Sequence, residues 1–206
     1  NHGKSIEETL EDGPNGLRLL AGGSGTIDLL NISQNDRLEL IRKTDALAAS
    51  TDFLVIDAPA GAGDNTLDFI AASDRVVVVI VAEPTSFLDA YALIKAAHLE
   101  RELHRFSIVV NMETIAMEAQ KHFEKFRDIA MRFLDVELTF LGHVPNSQRM
   151  RRAVSERKPV LLSTTNRQSS EFMAFHDISQ RLLAAPMNKS GGIRFFGGAP
   201  STERKE

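Results

Sequence analysis

The strongest chemical pattern in the chain is FLVIDAPAGAGDNT, residues 53–66. Four apolar residues run into Asp57, a pattern that places a carboxylate at the end of a strand, where it holds Mg²⁺, usually through water. The Ala-Pro-Ala-Gly that follows lets the chain turn tightly. Gly61, with no Cβ, can bring a backbone N–H close to a phosphate. An ordinary loop or cap aspartate looks the same, and that alternative stands beside the metal-site reading. A second apolar run ends in Asn111. An amide there has the paired donor and acceptor that read N6 and N7 of adenine, and it serves equally as a turn residue. A third run enters Val144-Pro145-Asn146-Ser147. Asn146 is a good helix N-cap, and backbone groups in such a loop can flank a purine ring. Glu83-Pro84-Thr85-Ser86 ends another run; it either lines the same crevice or is a strand–helix connection capped by Ser86.

These residues are useful together only if a scaffold collects them. Five apolar runs read as strands: 17–21 (LRLLA), 53–57 (FLVID), 75–81 (RVVVVIV), 106–111 (FSIVVN) and 139–144 (TFLGHV). They are continuous rather than alternating, the signature of a parallel sheet covered on both faces. Helical periodicity separates them, over 37–49, 87–103, 115–133, 147–157 and 169–184. In the second of these, Phe87, Tyr91, Ile94 and Ala97 form one stripe; in the third, Ala119, Phe123, Phe126 and Ala130 do. Alternating strand and helix predicts a doubly wound α/β fold, mostly parallel, with helices on both faces. Ligands of such sheets bind beyond the carboxyl ends of the strands, where all the residues above are placed. Residues 1–185 read as one domain and 186–206, rich in Gly, Pro and charge, as a flexible tail.

Composition narrows the function. The chain has 206 residues, 43% hydrophobic and 25% charged, which suits a globular domain with a sizeable core. A net charge of −4 gives no general pull towards nucleic acid or anionic membrane. With no cysteine there are no disulfides, thiolate metal sites or cysteine nucleophiles, which fits a cytoplasmic protein. The six histidines are scattered without metal-ligand spacing, so no protein-ligated transition metal is expected. LRLLAGGSGT lacks the third glycine of a dinucleotide fingerprint, and Ser24 lacks the spacing of a nucleophile elbow. Arg149, Arg151, Arg152, Arg157 and Lys158 form a basic cluster that reads as a solvated face rather than a nucleic-acid surface.

Taken together, the strand ends resemble the MinD/ParA class of P-loop ATPases, and within it the FlhG/FleN (MotR/YlxH) regulators of flagellar number and placement. The resemblance rests on GPNGLRLLAGGSG (13–25), DFLVIDAPAG (52–61), EPTSFLDAYALIK (83–95), VVNM (109–112) and RFLDVELTFLGHVP (132–145). It implies an ATP-dependent dimerisation switch that binds ATP or ADP with Mg²⁺ and resets by hydrolysis. By that resemblance Asp57 is the magnesium-site carboxylate, Gly61 senses the γ-phosphate, Asn111 contacts adenine, and Pro145 and Asn146 flank the base. The partners it implies are a second copy, an FlhF-like GTPase, flagellar switch-ring proteins and, in some bacteria, a transcriptional activator. It also implies a cytoplasmic protein with a peripheral position at the inner membrane or cell pole. GGIRFFGG (191–198) would add at most weak or transient membrane contact.

The family also carries a loop of the form G-K-G-G-x-G-K-[ST], and none occurs in these 206 residues. Gly3-Lys4-Ser5 is a surface coincidence, followed by an acidic stretch that ends at Gly13-Pro14. The expectation is therefore that a strand and P-loop precede Asn1, and that hydrolysis requires them. The alternatives are a non-catalytic binding module of the same fold, or a division or partition ATPase.

Overall fold

The β-branched and aliphatic runs in the second half of the chain form a sheet because each finds a neighbour. In the computed structural model, which describes residues 5–20, 33–163, 167–188 and 192–197, the chain divides into two compact units. The first comprises residues 1–73 with 190–206, and the second residues 74–189.

The second unit is built on three parallel strands, β3 (Val77–Ile80), β4 (Arg105–Asn111) and β5 (Glu137–Val144), in the order β3-β4-β5. Right-handed crossovers require a helix between parallel strands. Helix α3 (Pro84–Arg101) and helix α4 (Ala116–Met131) supply them. Helix α4 covers one face, with Phe123 stacked 5.1 Å from Phe140 of β5. The opposite face is packed by helix α7 (Ser170–Ala184), whose Phe175, Ile178 and Leu182 close over Val109, Leu141 and Val144. Burial on both faces explains why residues 106–110 of β4 are all buried without alternation. β3 departs from that expectation. Val78 and Ile80 are buried but Val77 and Val79 are exposed, because among the described residues β3 is an edge strand of this sheet.

β5 contains an extra residue. Ile108 pairs with Phe140 and Val109 with Gly142, so Leu141 has no partner opposite it. Gly142 follows at φ +142, a backbone conformation only glycine adopts without strain. A Cβ there would come within 3.1 Å of Ile178 on α7. Helices α5 (Gln148–Glu156) and α7 begin on serine caps. The hydroxyl of Ser147 accepts from Met150 N–H at 3.1 Å, and that of Ser169 from Phe172 N–H at 3.3 Å. A short helix, α6 (Val160–Ser163), lies between them.

Three sequence expectations are corrected in the caps and helix ends. Asn146 is not the α5 cap; Ser147 is. Glu83, not Ser86, stands at the N-cap of α3, with Pro84 in the first turn, and the Ser86 hydroxyl accepts from Val81 N–H at 3.0 Å instead. The helix expected over 37–49 starts earlier, at α1 (Gln34–Lys43), and tightens to 3₁₀ geometry over Thr44–Ser50.

The first unit departs further. The run at 17–21 does not join the parallel sheet. Its described part is β2 (Arg18–Leu20), paired antiparallel with β1 (Leu10–Asp12) across a turn at Pro14–Gly16. Asn15 and Gly16 both have positive φ, 56° and 79°, as a tight hairpin turn demands. The apolar run at 53–57 has no regular secondary structure and is not a strand: Phe53 is 68% and Val55 89% exposed. A strand exists only through its ladder, and this run has no ladder partner among the described residues. Helix α2 (Asp64–Ala71) follows it and was not foreseen. It is tied to α1 by a buried ion pair, Arg37 Nε to Asp68 Oδ2 at 2.9 Å, and Arg37 also donates to Asn65 Oδ1.

Within the stretch expected as a tail, two places are tied down. In the second unit, Asn188 is buried. Its side chain accepts from Arg105 N–H at 3.1 Å and donates to Arg105 O at 2.9 Å. In the first unit, Phe195 N–H donates to Ala72 O at 3.1 Å, and its ring stacks 6.2 Å from Phe69 of α2.

Candidate functional site

The residues singled out from the sequence fall into two groups, one in each unit. In the first unit, Asp57 and Gly61 share the loop of residues 57–63 that leads into α2. The Asp57 carboxylate is exposed and makes no hydrogen bond or ion pair among the described residues. Such an unclaimed hard oxygen donor suits Mg²⁺, which takes one or two carboxylates and fills its remaining positions with water and phosphate oxygens. Gly61 sits at φ +100 with no atom within 4 Å of where a Cβ would stand. Glycine is required there by the backbone angle, not by a close neighbour. The loop is hooked onto α2 by Thr66, whose buried hydroxyl donates to Pro59 O at 3.1 Å.

In the second unit the sheet brings Asn111 and Pro145 together. Asn111 ends β4 opposite Val144 of β5, and Glu113 N–H donates to Val144 O at 3.2 Å, binding the two strand ends. Asn111 Oδ1 accepts from Met112 N–H at 2.9 Å, which holds Met112 at φ 60 and turns the chain away from the sheet. Pro145 is buried and Asn146 exposed at the neighbouring strand end. Asn146 Oδ1 accepts from Arg151 Nη1 at 2.6 Å, an anchor no sequence pattern announced. Below them Glu171, 3% exposed at the start of α7, has its carboxyl held below the usual range, first by the Ser147 hydroxyl hydrogen bond and against the opposing effect of burial. The basic cluster splits by role: Arg151 is engaged with Asn146 and Arg152 with Glu156 at 2.6 Å, both on the exposed side of α5. Among the described residues no group of three or more His, Asp or Glu side chains could hold a metal ion, and no helix is long and apolar enough to cross a membrane.

In the second unit the ends of β4 and β5 set Asn111 beside Val144-Pro145-Asn146, and in the first unit Asp57 and the positive-φ Gly61 share one loop. Comparison with known proteins gives the family. The ParA model, described as NUBPL iron-transfer P-loop NTPase, matches residues 39–183. The chain belongs to this family. As a ParA-family chain it is 32% identical over 193 residues to the antiactivator FleN of Pseudomonas aeruginosa, covering 93% of this chain and 68% of FleN. It is 33% identical over 144 residues to the flagellum site-determining protein YlxH of Helicobacter pylori, covering 69% of this chain but only 48% of YlxH. Among solved structures, the cell division ATPase MinD of Pyrococcus furiosus aligns with a TM-score of 0.62 at 19% identity, over 88% of this chain and 71% of that one. The septum site-determining MinD of Pyrococcus horikoshii, determined with Mg-ADP, aligns at 0.64 and 17% identity over the same shares. These two likenesses establish the fold, an α/β domain with a parallel sheet and helices on both faces.

Proposed function

We propose that this chain is the main part of an ATP-dependent switch that regulates flagellar number or placement. The observation that carries the reading is the 193-residue match to FleN, which spans both the Asp57 loop and the Asn111 and Pro145 strand ends. In its ATP state the protein pairs with a second copy, and hydrolysis to ADP and phosphate returns it to the single chain. FleN's description as an antiactivator supports a transcriptional activator as one partner. An FlhF-like GTPase and switch-ring components are the others, and the protein works in the cytoplasm or peripherally at the inner membrane or pole.

Each residue has a physical task. Bound Mg²⁺ supplies neutralisation of the charge that develops on the phosphates. Asp57 holds the water shell of that ion, a role that suits an exposed carboxylate with no competing protein partner. Gly61 offers its backbone N–H to the terminal phosphate, and its positive φ sets the direction of that N–H. Thr66, by fixing Pro59, limits how far the loop can drift from α2. Asn111, Pro145 and Asn146 hold the base. Catalysis of this kind is mostly positional and electrostatic.

The test is Asp57→Ala in the full reading frame. The expected outcome is loss of Mg²⁺-dependent phosphate release, at least about a hundredfold by the usual scale of such electrostatic contacts, with an unchanged circular dichroism spectrum. Turnover at the wild-type rate would remove Asp57 from the site. Calorimetry with ATP and Mg²⁺ on the same protein separates the switch from a non-catalytic module, which would bind neither.

A further inference from the structure

The stretch from Asp57 to Ala60 has few soft torsions left. Pro59 confines the residue before it, Ala58, to extended backbone, and its ring fixes its own φ. The torsion that remains at Pro59 is ψ, which swings the Pro59 carbonyl. That carbonyl accepts from the Thr66 hydroxyl at 3.1 Å, so ψ is held as well. Among the described residues this is the one hydrogen bond made by residues 57–62. A stiff piece of chain attached at one point is placed as a whole, and Asp57 lies two residues from the attachment.

The point of attachment is itself firm. Thr66 is buried, as are Leu67 and Ile70 of the same helix, so the hydroxyl leaves from a packed face of α2. On either side of Thr66, Asn65 and Asp68 both accept from Arg37 of α1. Pro59, by contrast, is exposed. Water can satisfy its carbonyl, so the fold has no need of the Thr66 bond. What the bond supplies is direction.

We propose that Thr66 is a positioning residue that sets the Mg²⁺ affinity of the site by placing the Asp57 carboxylate before the ion arrives. The inference rests on the reading of Asp57 as the magnesium-site carboxylate. A carboxylate on a loose loop must be ordered as the ion binds, and the lost entropy is subtracted from the affinity; one already in place avoids that loss. Thr66 touches neither ion nor nucleotide and acts through Pro59. Its effect falls on the ion. ADP has no terminal phosphate for Gly61 to meet, so ADP affinity without Mg²⁺ is independent of Thr66.

Calorimetric titration of Mg²⁺ into the full-length protein saturated with ADP reads the ion's affinity without turnover. Thr66→Val keeps the side-chain shape and removes the donor. It should weaken Mg²⁺ by about three- to tenfold, the scale of one hydrogen bond. Thr66→Ser keeps the hydroxyl and should stay within about twofold of wild type. Both variants should bind ADP in EDTA as wild type does and keep its circular dichroism spectrum. Equal losses in Thr66→Val and Thr66→Ser, or a parallel loss of ADP affinity in EDTA, would make the residue merely structural and overturn the inference. Asp57→Ala separates the two claims. If it loses Mg²⁺ while Thr66→Val binds the ion as wild type does, the inference fails and the site stands. Wild-type Mg²⁺ affinity in Asp57→Ala, or a wild type that binds no ADP, overturns both.

Discussion

The Arg37–Asp68 pair offers the sharpest test of how the first unit is held together. The two side chains are 8% and 9% exposed and meet at 2.9 Å, joining α1 to the helix that anchors the Asp57 loop. Taking two charges out of water costs several kcal/mol per ion, offset only while both remain in place. Arg37→Met takes the guanidinium away from a buried carboxylate. Asp68→Leu takes the carboxylate away from a buried guanidinium, which keeps Asn65 as a neutral acceptor. Each single change is therefore expected to destabilise by about 3–5 kcal/mol. At roughly 2–4 °C per kcal/mol for a chain of this size, that is a fall of about 6–20 °C in melting temperature. Asp68→Leu should lie at the lower end because of Asn65. The double variant removes both charges and fills the space with apolar atoms, so it should recover most of the loss. Thermal unfolding followed by circular dichroism on all four proteins gives the cycle. Single changes worth under about 1 kcal/mol, or a double variant as unstable as the sum of its parts, would refute the claim that this is a desolvated pair.

Two further outcomes follow from the second unit. Gly142→Ala forces a Cβ into a positive-φ position and against Ile178 Cγ1, and should cost about 1–3 kcal/mol in urea unfolding; measured in an Ile178→Ala background, which removes the contacting Cγ1, the cost should persist because the backbone angle remains, and its disappearance there would show that contact alone sets it. For Glu171 the folded carboxyl titrates below its usual 4.5, so its stabilisation is complete above that value and disappears as pH falls through the depressed one. Glu171→Gln should accordingly be less stable than wild type near pH 6, with the gap closing towards pH 3, and a gap independent of pH would remove the Ser147 hydrogen bond as its cause.

The second unit was legible because its runs are long and its helices periodic. The stripe Ala119, Phe123, Phe126, Ala130 predicted from spacing is the buried face of α4. The first unit was not, and for identifiable reasons. Residues 53–57 have a strand's composition, but pairing is a property of two segments, and composition reports on one. The hairpin at Pro14–Gly16 carries one visible signal, Asn15-Gly16 before the apolar LRLLA, but its first strand, Leu10-Glu11-Asp12, is acidic and gives no strand pattern. Helix α2, eight residues long, is too short for periodicity to separate from a loop. In the site, Asn146 and Ser147 are both good caps, and the choice between them turns on Arg151, five residues along, which claims the Asn146 oxygen. No propensity rule couples those positions.

The extra residue in β5 also bears on how sequences of this kind should be compared. Strand side chains obey a two-step code, and Leu141 shifts its phase. Phe140 looks towards α4, while Leu141 and Gly142 both belong to the side of α7. Beyond the bulge His143 pairs with Val110 and Val144 with Asn111, one step out of phase with the residues before Leu141. Removing Leu141 would restore simple alternation with the same partners, so Val144 would keep its face and the Pro145-Asn146 loop its place beside Asn111. What would be lost is the packing of Leu141, fully buried beneath α7. A relative without this extra residue therefore aligns with a one-residue gap inside the strand while its strand end faces the same way.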